Sequence, residues 1–290
     1  MSVLDRLAVF TDEISQDLER IVQVCKDYSV RGVELRSLWD KGPEQLSKAE
    51  VLGLRKRLEG EGLAACCIAS PFYKCRIDDP AAIEQHLDIL RRCIDHAHAL
   101  QAPFVRGFAF WREGPFDDER CRRVSELFEK PVAILEEMDA TLAIENEGST
   151  SLGTGAEARR FLERLNHPRV KSLWDMGNSL ACPDWAMPYR DDYEAQRPWM
   201  VHAHVKDGAR AEDGKCRWLR VGDGQAQVLN QLRALRDDGY PGWISLETHW
   251  RPKDLSEEEV NRPGGASYSK EGEYATRACL DVLTRWLQEL

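Results

Sequence analysis

The sequence predicts an α/β protein that folds as a single (β/α)8 TIM barrel. Short apolar runs alternate along the chain with amphipathic helical stretches, and this alternation repeats eight times. The length of 290 residues suits the fold, whose members typically have about 250 residues. No linker or low-complexity tract interrupts the pattern, so residues 1–290 are expected to form one domain. A doubly wound open sheet is the alternative, but no glycine-rich phosphate-binding turn follows the first run.

Eight apolar runs are expected to be the barrel strands. In chain order they are LAVF (7–10), GVEL (32–35), AACCIA (64–69), FVRGFAF (104–110), TLAIEN (141–146), VKSLWD (170–175), MVHAHVK (200–206) and WISLE (243–247). Long loops follow the last three runs, at 176–199, 207–224 and 248–272. Each such loop follows the C-terminal end of its strand, which is the face that holds the active site in barrels of this type.

Amphipathic stretches follow most of the runs and are expected to be helices. The stretch that opens on Asp79 and Pro80 has a common helix start and carries apolar residues at helical spacing. Pro131 is expected to kink the stretch that contains it. The predicted helices span 14–29, 79–100, 119–138, 155–165, 226–239 and 273–290.

Composition and charge exclude several classes of protein. The mean hydropathy is −0.51 and no long apolar run is present, which argues against a membrane span. The stretch MSVLDRLAVFTDEIS lacks a basic start followed by an apolar core, so we expect no signal peptide and a cytoplasmic location. The nine cysteines contain no CxxC pair and are expected to be reduced core residues. A net charge of −10 disfavours nucleic acid as the main ligand.

The stretch VHAHVKDG (201–208) places two histidines in an otherwise apolar run. In a strand, His202, His204 and Lys206 share one face, while the apolar residues between them share the other. That polar face therefore lies either on solvent or in a site.

Other polar residues follow the later strands at the same end of the predicted barrel. Carboxylates packed closely together repel one another unless a cation or protons compensate their charge. In chain order, the later strands offer a carboxylate, a second carboxylate, an imidazole and a third carboxylate. Three oxygen ligands and one nitrogen ligand suit Mn²⁺, Mg²⁺ or Co²⁺, and Zn²⁺ is also compatible with them. The residues in question are Glu145 and Glu147, Asp175 and Asn178, His202, His204, Lys206 and Asp207, and Glu247 and His249.

Seven stretches in a shared order resemble the xylose isomerase-like TIM barrel superfamily, in its branch of sugar phosphate isomerases and epimerases. They are FTDEIS, GVELRSLWDK, IASPFYK, LAIENEG, WDMGN, VHAHVKD and GWISLETHW, and they run from residue 10 to 250. The resemblance implies that Glu145, Asp175, His204 and Glu247 bind the metal. It places His202 one layer deeper, behind the ligand histidine or in contact with substrate.

The resemblance also implies the chemistry. In similar epimerases the metal chelates a carbonyl and an adjacent hydroxyl group, and a carboxylate removes the carbon-bound proton to leave an enediolate. Glu145 and Glu247 are then the two bases, and the substrate is a sugar or polyhydroxy carbonyl compound of carbohydrate metabolism. A dehydratase (lyase) acting on an inosose or a keto sugar with the same site is the alternative. Members of this branch often pair, and tryptophans around Trp185 and Trp250 would suit a homodimer interface or a lid.

Some positions depart from the pattern of the ketose epimerases. Asn178 and Ser151 stand where those enzymes have a histidine and a glutamate that contact substrate, so a free ketohexose is not the expected substrate. The arginine that follows the ligand histidine is retained as Arg210. Together with Lys74 and Lys206, Arg210 is expected to hold a carboxylate, a phosphate or an oxidised sugar.

Aromatic residues near strand ends are expected either to wall a sugar pocket or to pack at the rim. They are Trp39, Phe72, Trp111 and Trp185. Arg106 lies inside a predicted strand, so it either reaches the cavity or pairs with a carboxylate such as Glu34. His249 is expected on the active-site face or packed beside Trp250.

Two other functions are weighed for the same fold. A repair nuclease of the endonuclease IV type would need extra histidines where this chain has Glu34, Ser70 and Asn178, and the chain is acidic. A barrel that binds a sugar or a partner without turnover remains a hypothesis, although the intact ligand set argues against it.

Overall fold

Eight parallel strands close into a barrel in the computed structural model, which describes residues 4–183, 187–253 and 266–290. Around the barrel, each strand pairs with the one before and after it in the chain, and Leu7 of the first strand pairs with Ile244 of the last. The fold class predicted from the sequence is thus confirmed. The barrel strands are β1 (Leu7–Phe10), β2 (Gly32–Leu35), β3 (Ala64–Ile68), β4 (Val105–Gly107), β5 (Leu142–Glu145), β6 (Val170–Asp175), β7 (Met200–Val205) and β10 (Ile244–Leu246).

Helices cover the outside of the barrel and connect its strands. They are α1 (Leu18–Tyr28), α2 (Lys48–Gly60), α3 (Pro80–Leu100), α4 (Asp118–Leu127), α5 (Glu129–Glu137), α6 (Gly155–Leu165), α7 (Tyr193–Gln196), α8 (Val228–Asp237) and α9 (Gly272–Glu289). None of the helices that the structure describes is long and apolar enough to cross a membrane.

Capping residues explain where two of the helices begin. The Asp17 carboxylate accepts a hydrogen bond from the Glu19 backbone N–H, so α1 begins at Leu18 rather than near residue 14. Asp79 accepts from the backbone N–H groups of Ala81 and Ala82, which fixes the start of α3 where the sequence predicts it.

The predicted helix 119–138 is two helices, with a break at Phe128. Pro131 has no backbone N–H to bond to the carbonyl four residues earlier, which is that of Leu127, the last residue of α4. The Leu127 carbonyl accepts a hydrogen bond from the Tyr73 hydroxyl instead. The predicted kink is therefore present, and the fully buried ring of Phe128 packs edge-on against Phe161 and Tyr73 at the break.

The inside of the barrel is divided between apolar and polar layers. A small apolar cluster fills part of the interior and is formed by Ala8, Cys66, Cys67, Phe104, Ala143 and Leu173. The nine cysteines are free thiols and eight of them are buried, as predicted. The polar side chains gather at and beyond the C-terminal ends of the strands, which leaves that end of the barrel for chemistry.

A β-hairpin occupies the loop predicted at 207–224. Its strands β8 (Asp207–Arg210) and β9 (Cys216–Leu219) pair antiparallel immediately after β7. The sequence predicts a long loop here without identifying its two strands, because strands of four residues with mixed polarity give too weak a pattern. The hairpin stands next to the polar end of the barrel.

Candidate active site

Four side chains from four different strands converge at the C-terminal end of the barrel. Glu145 ends β5, Asp175 ends β6, His204 lies in β7, and Glu247 follows β10 directly. One ligand-type atom from each lies within 4.8 Å of the others, and all four residues are buried. The structure therefore brings together the predicted set of metal ligands.

Glu34 orients the histidine of this cluster. The Nε2 of His204 lies 3.1 Å from Oε1 of Glu34 and donates to that carboxylate. Nδ1 then faces the other members of the cluster, 3.4 Å from Glu145 Oε1, 3.6 Å from Glu247 Oε2 and 3.9 Å from Asp175 Oδ2. A carboxylate behind a histidine fixes its ring and raises its basicity in metal sites.

The electrostatics of the cluster favour a cation at Nδ1. Burial disfavours a charged imidazole, but the Glu34 and Glu145 carboxylates outweigh burial and hold the pKa of His204 well above its ordinary value. In the metal-free protein a proton on the His204 ring supplies the positive charge, and a metal ion would displace that proton.

Unsatisfied atoms in the cluster provide a test of whether a metal would fit. Asp175 Oδ2 and Glu247 Oε2 are buried and contacted by the Lys206 ammonium, whereas the buried Nδ1 of His204 has no hydrogen-bond partner. Buried polar atoms are normally paired, so an unpaired Nδ1 that faces three carboxylate oxygens indicates a place for a cation. The donor set of carboxylate oxygens and one imidazole nitrogen fits a divalent cation.

The charge balance around the cluster agrees with this fit. Among the described residues the ion-pair network there contains seven carboxylates, of Asp12, Glu13, Glu34, Glu145, Glu147, Asp175 and Glu247. It contains five permanently cationic side chains, of Arg36, Lys74, Arg106, Lys206 and Arg251. With every carboxylate ionised and every histidine neutral, the network has an excess of two negative charges, which one divalent ion would balance.

An arginine binds one oxygen of each glutamate in the cluster. Arg106 Nη1 donates to Glu145 Oε2 at 3.0 Å, and Arg36 Nη1 donates to Glu247 Oε1 at 2.5 Å. Burial raises the pKa of both glutamates, but nearby cations outweigh it, so the pKa of Glu145 is lowered and that of Glu247 is lowered well below its ordinary value. Both side chains are therefore carboxylates with the second oxygen facing the cluster.

Arg106 thus pairs with a carboxylate, as one of the two predictions for it required, and that carboxylate belongs to Glu145 rather than Glu34. Arg106 also donates to the backbone carbonyl of Ala69, and its side chain is almost fully buried. The Glu34 carboxylate instead accepts hydrogen bonds from His202 and His204, the two histidines of β7.

Lys206 is a buried ammonium group beside the cluster. Its Nζ lies 2.6 Å from Glu247 Oε2 and 3.2 Å from Asp175 Oδ2, and it donates to Asn178 Oδ1 at 3.2 Å. Burial opposes its charge, but Asp175 and Glu247 outweigh burial and raise its pKa well above the ordinary value. It is a fixed cation between Asp175 and Glu247, and a contact of Lys206 with substrate stays a prediction.

The turn after β6 holds Asp175 and Asn178 together. Asp175 Oδ1 accepts the backbone N–H groups of Gly177 and Asn178 at 2.9 and 2.8 Å. Burial raises the pKa of Asp175 to about 7, against the effect of Lys206. Asn178 donates its amide to Glu145 Oε1 at 3.1 Å and to the Asn146 carbonyl at 2.9 Å.

His202 lies beneath the cluster. Its Nε2 is 2.7 Å from Glu34 Oε2, its ring packs edge-on against that of His204, and it is fully buried. The structure thus places His202 behind the ligand histidine, and its contact with a substrate stays a prediction. The role of Glu34 was missed, although a glutamate inside the apolar run GVEL is a signal that something buried must pair with it.

Lys74 and Trp111 lie together on the side of β3 and β4. Lys74 Nζ is 3.3 Å from Glu147 Oε2 and stands over the rings of Phe108 and Trp111, 4.4 and 5.7 Å from their centroids. Burial raises the pKa of Glu147, but Lys74 and Lys206 lower it to about 2. The structure thus supplies a half-buried cation with aromatic walls beside the cluster.

Arg210 is directed toward the loop that follows β6. Its Nη1 donates to the backbone carbonyls of Cys182 and Leu180 at 2.7 and 3.3 Å. This contact ties hairpin strand β8 to the loop, and a contact of Arg210 with substrate stays a prediction.

The aromatic residues near the site differ from those expected. Phe72 is fully buried and stacked on Tyr73 at 4.0 Å, so it belongs to the core and not to a pocket wall. Trp39 is partly exposed, and Trp185 lies outside the described residues. Sequence reasoning missed Trp218 of β9, whose ring stands 5.1 Å from Lys206 Nζ and 5.8 Å from the ring of His249.

His249 faces the site, which was one of the two placements predicted for it. Its Nε2 lies 3.2 Å from Glu247 Oε1, and its ring stacks on Tyr268 at 4.3 Å rather than on Trp250. Burial lowers the pKa of His249, with Lys206 acting in the same direction.

Comparison with known proteins gives one family and a set of similar structures. The model of the family described as xylose isomerase-like TIM barrel matches residues 22–271. No curated protein matches the chain in sequence.

Among solved structures, an L-ribulose 3-epimerase is 15% identical with a TM-score of 0.73, covering 98% of this chain and 95% of its own. The probable 3-DHS dehydratase of petrobactin synthesis from Bacillus anthracis is 17% identical with a TM-score of 0.71, covering 96% and 98%. A xylose isomerase-like TIM barrel protein from Mycobacterium smegmatis, in complex with magnesium, is 18% identical with a TM-score of 0.69, covering 99% of each chain. At these identities the likeness establishes the fold.

Proposed function

The chain belongs to the xylose isomerase-like TIM barrel family, and on this premise we propose that it is a divalent-metal-dependent isomerase or epimerase of a sugar or polyhydroxy carbonyl compound. One observation carries the proposal. Glu145, Asp175, His204 and Glu247 converge from four strands, and the unpaired, buried Nδ1 of His204 faces a carboxylate oxygen of each of the other three. The epimerase and the magnesium complex among similar structures support the same assignment.

Glu145, Asp175, His204 and Glu247 would hold the metal. When bound, the ion withdraws electrons from a substrate carbonyl and stabilises the negative charge of an enediolate. The oxygen-rich donor set favours Mn²⁺, Mg²⁺ or Co²⁺, with Zn²⁺ as a further candidate.

Glu145 and Glu247 are proposed to transfer the proton. Against the effect of burial, Arg106 lowers the pKa of Glu145 and Lys206 lowers that of Glu247, so both side chains are ionised at neutral pH and can accept a proton from a carbon of the substrate. The two come from opposite sides of the cluster, on β5 and after β10, which suits removal from one face and return on the other. A low pKa also makes the protonated glutamate a ready donor for the return step.

The proposed substrate contacts surround this cluster. Lys206 can donate to a substrate oxygen while it neutralises Asp175 and Glu247, and Asn178 is held beside it. Lys74 and Trp111 offer a cation and an aromatic face on one side. Arg210 and His202 complete the proposed set. The concentration of cations favours a substrate that carries a carboxylate or another oxidised group.

A dehydratase acting on an inosose or keto-sugar type substrate is the second candidate. The charged Lys206 ammonium lies 2.6 Å from Glu247, so an acid for a leaving hydroxyl stands beside a base for the carbon proton. Asn178 and Ser151, which replace the substrate-contacting residues of ketose epimerases, point the same way. A probable dehydratase among the similar structures supports this candidate.

Proton exchange with solvent tests the proposal whichever product the reaction forms. The protein is loaded with Mn²⁺ in D₂O and incubated with a panel of keto sugars, sugar acids and inososes, which are analysed by NMR and mass spectrometry. We expect deuterium at the carbon next to the carbonyl of one class of substrate. Isomerised or epimerised product supports the first candidate, and loss of water supports the second.

Two controls separate catalysis from background enolisation. Glu247→Gln keeps an oxygen ligand but removes the base, so exchange should fall by about 100-fold or more. Glu157→Gln, which alters an ion pair with Arg112 outside the cluster, should leave exchange unchanged. Equal exchange in wild type, Glu247→Gln and chelator-treated protein would exclude a catalytic role for the cluster.

A further inference from the structure

A second group of ligand-type side chains adjoins the first and shares Glu247 with it. Glu13, Glu247 and His249 each offer one atom within 4.8 Å of the others. Glu13 lies in the segment after β1, and His249 lies two residues beyond Glu247. Carboxylates with an imidazole are the same kind of donor set as in the first group.

The guanidinium of Arg36 fills this second group. Its Nη1 donates to Glu247 Oε1 at 2.5 Å and lies 3.3 Å from His249 Nε2. Its Nη2 donates to Glu13 Oε1 at 3.0 Å, and its Nε donates to Asp12 Oδ2 at 2.7 Å. A single cation therefore contacts every member of the group and one further carboxylate.

Packing holds the guanidinium in this position. Its central carbon lies 4.8 Å from the ring centroid of Phe10 and 4.5 Å from that of Tyr268. Arg36 is 8% exposed, and Asp12 and Glu13 are fully buried. Arg251 binds the other oxygen of Glu13 at 2.6 Å, so the carboxylate cannot turn away.

If a neutral residue replaced Arg36, the second group would need another cation to balance its negative charge. Asp12, Glu13 and Glu247 bring three negative charges within contact of one guanidinium. Asp12 Oδ1 is also buried and has no hydrogen-bond partner. Unpaired buried charge is costly, and a metal ion is one of the few species that would compensate it.

We propose that Arg36 is the built-in second cation of the centre. It stands where a second metal ion would bind, bridged to the first through Glu247, and so keeps the centre mononuclear. By binding Oε1 of Glu247 it also positions Oε2 toward the first metal. This inference rests on the proposed function in one respect, since it assumes that a metal binds at Glu145, Asp175, His204 and Glu247.

The test is the number of Mn²⁺ ions bound by the full chain. Wild type and Arg36→Met are equilibrated with excess Mn²⁺, freed of unbound metal and analysed for metal content. We expect one ion per chain in wild type and two in Arg36→Met. Two ions bridged by one carboxylate lie about 3.5–4 Å apart in two-metal sites. The EPR spectrum of the variant should therefore show a spin-coupled pair, whereas that of wild type shows an isolated ion.

Three further variants complete the test. Arg36→Met with Asp12→Asn carries less uncompensated negative charge and keeps Glu13, Glu247 and His249, so it serves where Arg36→Met does not fold, and it should also bind two ions. Arg36→Met with Glu13→Gln removes a ligand and should return to one. Arg106→Met is the matched control, because Arg106 hydrogen-bonds Glu145 and comes no closer than 4.0 Å to Glu247 of the second group, and it should not gain an ion.

The outcomes separate the two claims. One ion in wild type and one in the folded Arg36 variants overturns the inference and leaves the proposed function standing. Two ions in wild type also overturns it, since Arg36 then excludes nothing. No ion in wild type contradicts the proposed function itself.

Discussion

Glu34 lies beneath the four ligand-type side chains and binds both histidines of β7. One oxygen receives His202 at 2.7 Å, and the other lies 3.1 Å from His204. Burial raises the pKa of Glu34, but the two histidines outweigh burial and lower it well below the ordinary value. At the scale of residues, then, a permanent carboxylate behind His204 determines which nitrogen of the ring faces Glu145, Asp175 and Glu247.

Replacement of Glu34 should weaken metal binding without removing a ligand. In Glu34→Gln the neutral amide no longer fixes the His204 ring or enhances its basicity. Metal affinity is expected to fall about 10–100-fold, as for other carboxylates behind ligand histidines. Competition of the protein with a fluorescent chelator for Mn²⁺ measures this change, and Glu157→Gln serves as the control. An unchanged affinity in a folded Glu34→Gln protein would show that Glu34 serves packing alone.

Asp175 gives the metal-free protein a specific pH dependence. Its pKa is raised by burial from 3.8 to about 7, so between these values the folded state holds a proton that the unfolded state has lost. The contribution of Asp175 to stability therefore falls as pH rises through this window. Asparagine resembles the neutral acid at every pH. Asp175→Asn should thus gain stability relative to wild type by about 1.4 kcal/mol per pH unit up to about pH 7, and no further above it.

Urea unfolding in EDTA at pH 5, 6, 7 and 8 measures this difference. A difference in the free energy of unfolding that stays constant from pH 5 to 7 would mean that Asp175 is ionised throughout.

The placement of individual residues was predictable where they lie at or next to the C-terminal end of a strand in a family pattern. Glu145, Asp175, His204 and Glu247 all do so. The partners of buried charges were not predictable, because they sit across the barrel on strands far apart in sequence. Glu34 meets His202 from 168 positions away, and Arg36 meets Glu247 from 211 positions away.

At the scale of elements, the β8–β9 hairpin depends on one carboxylate. Asp207 Oδ1 accepts the backbone N–H groups of Gly208 and Ala226, and Oδ2 accepts those of Gly222 and Gly224. The hairpin in turn places Trp218 over Lys206. Asp207 thus fastens the segment after β9 to the start of β8.

Removal of this carboxylate should loosen the hairpin while sparing the metal ligands. Asp207→Ala leaves four backbone N–H groups without their acceptor and should cost about 1–3 kcal/mol of stability. Hydrogen exchange should accelerate in residues 208–226, and Mn²⁺ stoichiometry should stay at one. Asp207→Asn, which keeps one acceptor oxygen, should show a smaller effect. Unchanged exchange in this segment would contradict the role given to Asp207.

Element boundaries were predictable where the signal was local. Capping by Asp79 fixed α3, and the apolar run fixed β6 at Val170–Asp175, as predicted. The kink caused by Pro131 was predictable for the same reason, since the helix breaks at Phe128, just after the carbonyl that Pro131 cannot bond. The hairpin was not predictable, since it depends on contacts of Asp207 with a later turn.

At the scale of the whole molecule, barrel closure assembles the site. The pairing of β1 with β10 brings Arg36 and Glu13, from the first quarter of the chain, against Glu247 and His249. The repeated strand–helix pattern was sufficient to predict this closure, and the residue types at the strand ends predicted which face would carry charge. The resulting excess of carboxylates is the property on which the proposed metal site rests.

The most direct test of the account is the metal content of the purified chain. Wild type and His204→Ala are stripped with a chelator, equilibrated with Mn²⁺, Co²⁺ or Zn²⁺, freed of unbound metal and measured by elemental analysis. His96→Gln is the control, since His96 is a histidine of α3 that contacts the Pro43 carbonyl instead of the cluster. The account predicts about one ion per chain in wild type and in His96→Gln, and loss of that ion in His204→Ala. No bound ion in wild type with any of the three metals would contradict it.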